Sequence, residues 1–281
     1  MKIKKILNNN AAVVNDHGEE KIVMGPGVVF QKGKNDVVDP SLVEKVFVMT
    51  DPKQYNHLQE MLGTLPEEEI AVTQQIITFA EKALGVTFHE HIHIALADHL
   101  SFALERIGKG IEIRNTLLEE IRILYPREFH LGLHAKRLIY EKLQVVIPED
   151  EVGYIAMHIH TAWKNAGMRH KAPEKTAMIR DIAEGVGQVA GVLDRRSANY
   201  ERLLTQLENM LQTDESGKLR NELNPELVAM AKMNFTEAYT QAREIGEMVE
   251  EDYGYAFTES QLVVIAMEII RIDHRLHPSS D

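Results

Sequence analysis

The sequence predicts a small antiparallel β domain followed by two homologous all-α helical-bundle domains. Three observations carry that expectation. The first residues, about fifty of them, alternate short apolar-rich runs with turn signals. From Pro66 onward the apolar residues recur at helical spacing. One stretch is also written twice: Glu151–His160 has its match in Gln261–Ile270, and the run Ile155-Ala156-Met157 returns as Ile265-Ala266-Met267, 110 positions later. The same offset pairs Glu141 with Glu251, Leu143 with Tyr253, Ile147 with Phe257 and Glu149 with Glu259. A shared period of this size means two copies of one domain, because the units of a solenoid are shorter.

At 281 residues the chain has room for two domains or slightly more, and 44% apolar residues let each copy bury a core. The formal net charge of −12 argues against a molecule coated in basic surface. The sum hides an asymmetry. Residues 1–34 carry six lysines against three acidic residues, net +3, so the remainder is −15. A basic end on an acidic body marks a nucleic-acid-binding segment or arises by chance, and the count alone does not choose. There is no cysteine, hence no disulfide and no thiolate metal site, which fits a reducing cytoplasm. The N-terminus begins basic but has no apolar core of signal-peptide length, and no apolar run approaches a membrane span. The expectation is a soluble, cytoplasmic protein.

Taken in order, Lys2–Leu7 and Ala11–Asn15 read as strands, and Asp16-His17-Gly18 as the turn into a third at Lys21–Met24. Gly25-Pro26-Gly27 breaks the chain, Val28-Val29-Phe30 reads as a further short strand, and Glu44–Met49 as the last. Four or five strands in about fifty residues can hardly close a core alone, so a partner surface is expected, most simply a second copy. Asn8-Asn9-Asn10 has two readings. As structure it is a turn, since asparagine tolerates left-handed backbone. As function, its amides offer donors and acceptors to base edges, and Phe30 offers a face for an unpaired base.

Three segments carry a family resemblance: Lys5–Val14, Met24–Lys32 and Val37–Phe47. They resemble the co-antiterminator RNA-binding domain of the BglG/SacY/LicT family of bacterial transcriptional antiterminators, and the later motifs extend the resemblance over essentially the whole chain. The resemblance implies that the β domain dimerises and grips a hairpin in a leader mRNA, with Lys5, Asn8, Asn10, Gly25, Phe30 and Gln31 as RNA-contacting residues. Pro26 departs from the pattern, since several relatives have arginine there; the resemblance then implies that one phosphate or base contact is either missing or replaced by Lys32 or Lys34.

Residues 51–65 read as a polar linker bounded by prolines. Pro66 then opens a helix whose first turn, Glu67-Glu68-Glu69, opposes the macrodipole. The two helical domains are expected at 66–170 and 171–281, with breaks at Gly108–Gly110, Pro126, Pro148, 167–173 and Pro225. Glu90–Ile107 is an amphipathic helix with His99 at its middle, and Pro148–Asn165 a second with Val152, Ile155, Ala156, Ile159 and Trp163 as its stripe. His158 and His160 flank that stripe. Met157 points away from it, which leaves burial on a second side and a stray exposed side chain both open.

Either histidine could be a satisfied core residue, but the repeat favours function. His99 corresponds to Gln206 at an offset of 107 and His158 to Glu268 at 110. Both positions stay polar in the second copy, whereas a packed histidine would drift to leucine or phenylalanine. These helical domains resemble PTS-regulation domains, in which histidines are phosphorylated by the sugar phosphotransferase system. The resemblance implies phosphorylation of His99 and His158, with Asp98 in support, by a sugar-specific permease (enzyme II). It implies no such role for Gln206 and Glu268, where HPr acts in relatives. Glu268 then either imitates part of a phosphorylated state or belongs to a domain reduced to dimerisation. His274 and His277 read as surface residues. The protein is expected to be a homodimer and not an enzyme, without cofactor or metal.

Two other classes compete. His89, His91 and His93 with His99 and His158 suggest metal ligands, but alternate spacing does not share a helix face and no His-Glu-x-x-His is present. A DNA-binding regulator would need a helix-turn-helix, and the strand-like N-terminus is too short for one.

Overall fold

The structure is a computed structural model describing residues 1–48, 52–164, 172–191, 193–212 and 222–273. His274, His277 and residues 167–171 lie outside the described residues. The chain opens with a four-stranded antiparallel sheet in the order β1 (Lys2–Asn8), β2 (Ala11–Asp16), β3 (Glu19–Met24) and β4 (Lys45–Phe47). His17 and Gly18 join β2 to β3, both at positive φ (54° and 97°), as a two-residue hairpin loop of the primed type requires. The expected strand at Val28-Val29-Phe30 is absent. Those residues form successive turns, in which Val28 N donates to Gly25 O at 3.1 Å and Phe30 N to Gly27 O at 3.0 Å. They are apolar because Val28 and Val29 cover the sheet, not because they extend it.

Both faces of the sheet are apolar. Ile3, Ala12, Val14 and Val23 pack under Val28, Val29 and Val38. On the opposite face lie Ala11, Val13, Ile22, Met24 and Phe47. The small β domain is expected to need a partner surface, and on this face helices of the same chain supply one. The supposed polar linker is a helix, α1 (Pro52–Thr64), and it buries Leu58, Met61 and Leu62 on this face. Its buried apolar residues are only three, spaced i, i+3, i+4, with Tyr55 packed beside them, so composition hides them. Ile70 of α2 (Glu67–Leu84) and Ile94 and Ala97 of α3 (His91–Gly108) complete the cover.

The remaining helices are α4 (Leu118–Leu124), α5 (Pro126–Leu143), α6 (Glu149–Lys164), α7 (Ala172–Ala190), α8 (Ala198–Met210), α9 (Pro225–Asn234), α10 (Thr236–Tyr253) and α11 (Glu259–Ile272). The breaks at Gly108, Pro126, Pro148 and Pro225 fall at helix ends as expected, proline being tolerated in a first turn. The described residues divide into two compact units. One draws on Met1–Asn115 and Glu128–Gly167, the other on Thr116–Arg127 and Met168–Asp281.

In the first unit α6 is buried on more than one side. Val152, Ile155, Ala156 and Ile159 are joined by Met157 at 7% exposure, which settles the open question about Met157 in favour of burial. Tyr154 and His158 lie on its partly open line. His160, expected at the edge of the stripe, is buried, and its Nδ1 donates to Glu128 Oε1 at 2.7 Å.

In the second unit α7, α8, α10 and α11 enclose a core of Ile179, Ile182, Val186, Leu203, Leu204, Val249 and Ile265. Although α4 lies between the two halves of the first repeat in sequence, it packs with α7 and α8. Its Glu120 is fully buried, accepting from Arg195 and from the Tyr200 hydroxyl. A buried carboxylate needs such partners to remain charged.

Two features of the first unit yield tests. A Cβ on Gly25 would stand 1.8 Å from the Leu42 carbonyl oxygen, a backbone atom that cannot swing away. Gly25→Ala is expected to cost about 1–3 kcal/mol or more, whereas Gly63→Ala in α1, with nothing within 4 Å of its Cβ, should cost nothing; urea midpoints of the full chain distinguish them. His93 is 6% exposed, packed edge-on against Phe47 at 4.9 Å, and burial, aided by the Lys45 charge, holds its pKa down to about 3. The unfolded chain takes up this proton near pH 6.5, so His93 contributes stability that is complete above pH 6.5 and lost as the pH falls towards 3. Replacing His93 with glutamine should flatten the decline in urea midpoint between pH 7 and pH 4.5.

Candidate functional site

Two of the residues singled out in the sequence come together in the first unit. His99 stands midway along α3 and His158 along α6, and their ring centroids are 4.8 Å apart with planes tilted by 46°. α3 and α6 bring them together because each helix turns its apolar stripe inward and carries its histidine at the stripe's margin. His99 is about a quarter exposed, and its Nε2 donates to the carboxylate of Glu151, which is 1% exposed. The Tyr154 ring lies 5.5 Å from that of His99, and its hydroxyl donates to the Arg114 carbonyl at 2.8 Å. Burial pushes the His158 pKa down to about 4, and the neighbouring His99 and His91 push the same way. At neutral pH His158 is therefore an uncharged imidazole with a lone pair to offer.

Sequence reasoning missed Glu151 and Tyr154. The signal was present: Glu151, Tyr154 and His158 follow i, i+3, i+7 spacing, which aligns them along one helix face. Asp98 does not point at either histidine of the pair. It accepts from His57 Nε2 of α1 at 2.6 Å. Nothing in the polar composition of residues 51–65 marks His57 in advance.

In the second repeat the constellation is replaced residue by residue. Gln206 is exposed on α8. Glu268 is 8% exposed and clamped by its own helix, accepting from Arg271 Nε at 2.8 Å and from a terminal nitrogen at 2.6 Å. The repeat partner of Glu151 is Gln261, buried, donating to the Met210 carbonyl and the Tyr255 hydroxyl. Two titratable imidazoles and a carboxylate have become two amides and a paired carboxylate.

The β-domain candidates lie around the β1–β2 turn and the turn after β3. Asn10 Oδ1 accepts from Gly27 N at 2.6 Å, so this side chain clasps the Gly25–Gly27 turn. Asn8 Oδ1 accepts from Asn10 N at 2.8 Å while its amide donates to the Leu62 carbonyl, also at 2.8 Å. Lys5 Nζ donates to Gln59 Oε1 at 3.4 Å. Gly25 is buried against Leu42, and the neighbouring Pro26 is exposed. Phe30 is 62% exposed, beside Gln31 with a left-handed φ of 56°. Lys32 Nζ is spent on the Val37 carbonyl at 2.9 Å.

Comparison with known proteins places these two regions. Residues 1–56 match the CAT RNA binding domain family, and residues 74–162 and 191–272 each match the PRD domain family. The chain is 32% identical to the transcription antiterminator LicT of Bacillus subtilis (strain 168), over 97% of this chain and 99% of that one. It is 33% identical to the beta-glucoside operon antiterminator of Dickeya chrysanthemi, over 98% of each. A crystal structure of GlcT CAT-PRDI superposes with a TM-score of 0.54 at 33% identity, covering 58% of this chain and 98% of that one. Among the described residues no helix is long and apolar enough to cross a membrane. The chain belongs to the BglG/SacY/LicT family of transcriptional antiterminators, RNA-binding regulators rather than enzymes.

Proposed function

We propose that this antiterminator binds a hairpin in a leader mRNA through its β domain, as a homodimer in the cytoplasm, and that His99 and His158 are its phosphoryl acceptors. The observation that carries the second part is the facing pair itself. One imidazole is held neutral by burial, the other sits on a buried carboxylate, and the second repeat keeps neither. A phosphoryl group brings about two negative charges at neutral pH. Placed on His99 it would stand against the Glu151 carboxylate in a half-buried site, where like charges repel strongly. That repulsion loosens the packing of α3 on α6 and, through it, the arrangement that presents the β domains to RNA. The donor is a sugar-specific permease of the phosphotransferase system, with HPr as the alternative.

Lys5, Asn8, Asn10, Gly25, Phe30 and Gln31 are the RNA-contact candidates, and they divide by role. Exposed Phe30 and its neighbour Gln31 are free to stack on and hydrogen-bond an unpaired base. Asn10 and Gly25 support the turn that presents Phe30. The second helical repeat takes no phosphoryl group at Gln206 or Glu268. The Arg271 clamp cancels much of the charge at Glu268, which favours a fixed structural site over an imitation of phosphohistidine.

Hairpin binding by the purified full chain tests this reading. Phe30→Ala should weaken binding at least tenfold, about 1.4 kcal/mol. His99→Asp and His158→Asp should each weaken it several-fold, and Glu268→His should leave it unchanged. Incubation with the phosphotransferase components should label wild type but not a His99→Ala/His158→Ala double variant. Label retained by the double variant would move the acceptors elsewhere.

A further inference from the structure

Helix α1 touches the candidate RNA edge with one part and the regulatory helix with another. Near its C-terminal end the Leu62 carbonyl accepts from the Asn8 amide at 2.8 Å, and Gln59 Oε1 accepts from Lys5 Nζ at 3.4 Å. At the start of α2, Glu67 Oε1 accepts from the Asn9 main-chain N–H at 3.2 Å and Oε2 from its side-chain amide at 3.5 Å. Donors that would otherwise face nucleic acid are thus spent inside the chain, and a carboxylate stands where a phosphate would approach. Between these contacts Leu58, Met61 and Leu62 are buried on the apolar sheet face, which therefore cannot pack on a second copy at the same time. On its N-terminal side α1 is fastened to α3 by His57 Nε2, which donates to Asp98 Oδ2 at 2.6 Å, one residue from His99. Phe30 remains open at 62% exposure.

We propose that α1 is an autoinhibitory strap: its closed position, held by the His57–Asp98 bond and the Glu67–Asn9 contacts, masks the Lys5 and Asn8 part of the RNA edge and one sheet face, and RNA binding requires its release. The strap rests on the reading of this edge as the RNA surface. Apparent affinity for RNA is the affinity of the open form multiplied by the fraction of molecules that are open. Weakening a fastening therefore tightens binding without adding any contact to RNA.

The test compares hairpin affinity of the unphosphorylated full chain for wild type, His57→Ala, Glu67→Gln, their double variant and Phe30→Ala, with hydrogen exchange of α1 in the presence and absence of hairpin. Release of the strap should tighten binding about threefold to tenfold for each single variant and more for the double. A simple charge effect would instead leave His57→Ala unchanged or weaker, because it removes a basic group. Amides of α1 should exchange faster when hairpin is bound. If Phe30→Ala weakens binding while the fastening variants leave affinity and α1 exchange unchanged, the strap is overturned and the RNA surface stands. If no variant binds a hairpin, the reading of the surface fails and the strap falls with it.

Discussion

A four-stranded sheet that is apolar on both faces must be covered twice, and the architecture of the first unit follows from that constraint. One cover is local, the Val28–Val29 turns and Val38 folding back over Ile3, Ala12, Val14 and Val23. The other comes from α1, α2 and α3, whose Leu58, Met61, Leu62, Ile70, Ile94 and Ala97 meet Ala11, Val13, Ile22, Met24 and Phe47. Each fully buried aliphatic side chain contributes about 1.5–3 kcal/mol relative to exposure. A β domain this small cannot forgo the second cover. Whichever surface supplies it, helices of the same chain or a second copy, decides what the β1–β2 turn is free to contact.

The same economy governs where charge is buried. Glu151, Glu128 and Glu120 all lie in the interior, and each meets a donor at short range: His99, His160, and Arg195 with Tyr200. Breaking the Glu128–His160 or the Glu120–Arg195 pair would strand a buried charge. The Glu151–His99 pair differs because a second, neutral imidazole stands beside it.

The histidine pair was largely legible in the sequence, because the repeat supplies an internal control. Polar replacement at both positions, Gln206 and Glu268, singles out the two histidines without any structure. The line Glu151–Tyr154–His158 could have been read from helical spacing. Gly25, by contrast, carries a role that spacing could not reveal. Its missing side chain makes room for the Leu42 carbonyl, 17 residues away in sequence. The glycine is required by packing, whatever else it does.

The sequence by itself determined the order of a β domain, a connecting segment and two homologous helical repeats, since alternation, helical period and a 110-residue offset are local or self-referential signals. It also determined which repeat retains the two histidines. Only the tertiary structure decided that Pro52–Thr64, within the polar segment, is a helix lying on the sheet, that α4 packs with α7 and α8, and that Asp98 holds His57. These are meetings between residues tens of positions apart, where each partner alone looks like an ordinary surface residue. Their identity lies in the complementarity of two surfaces, which no local pattern encodes.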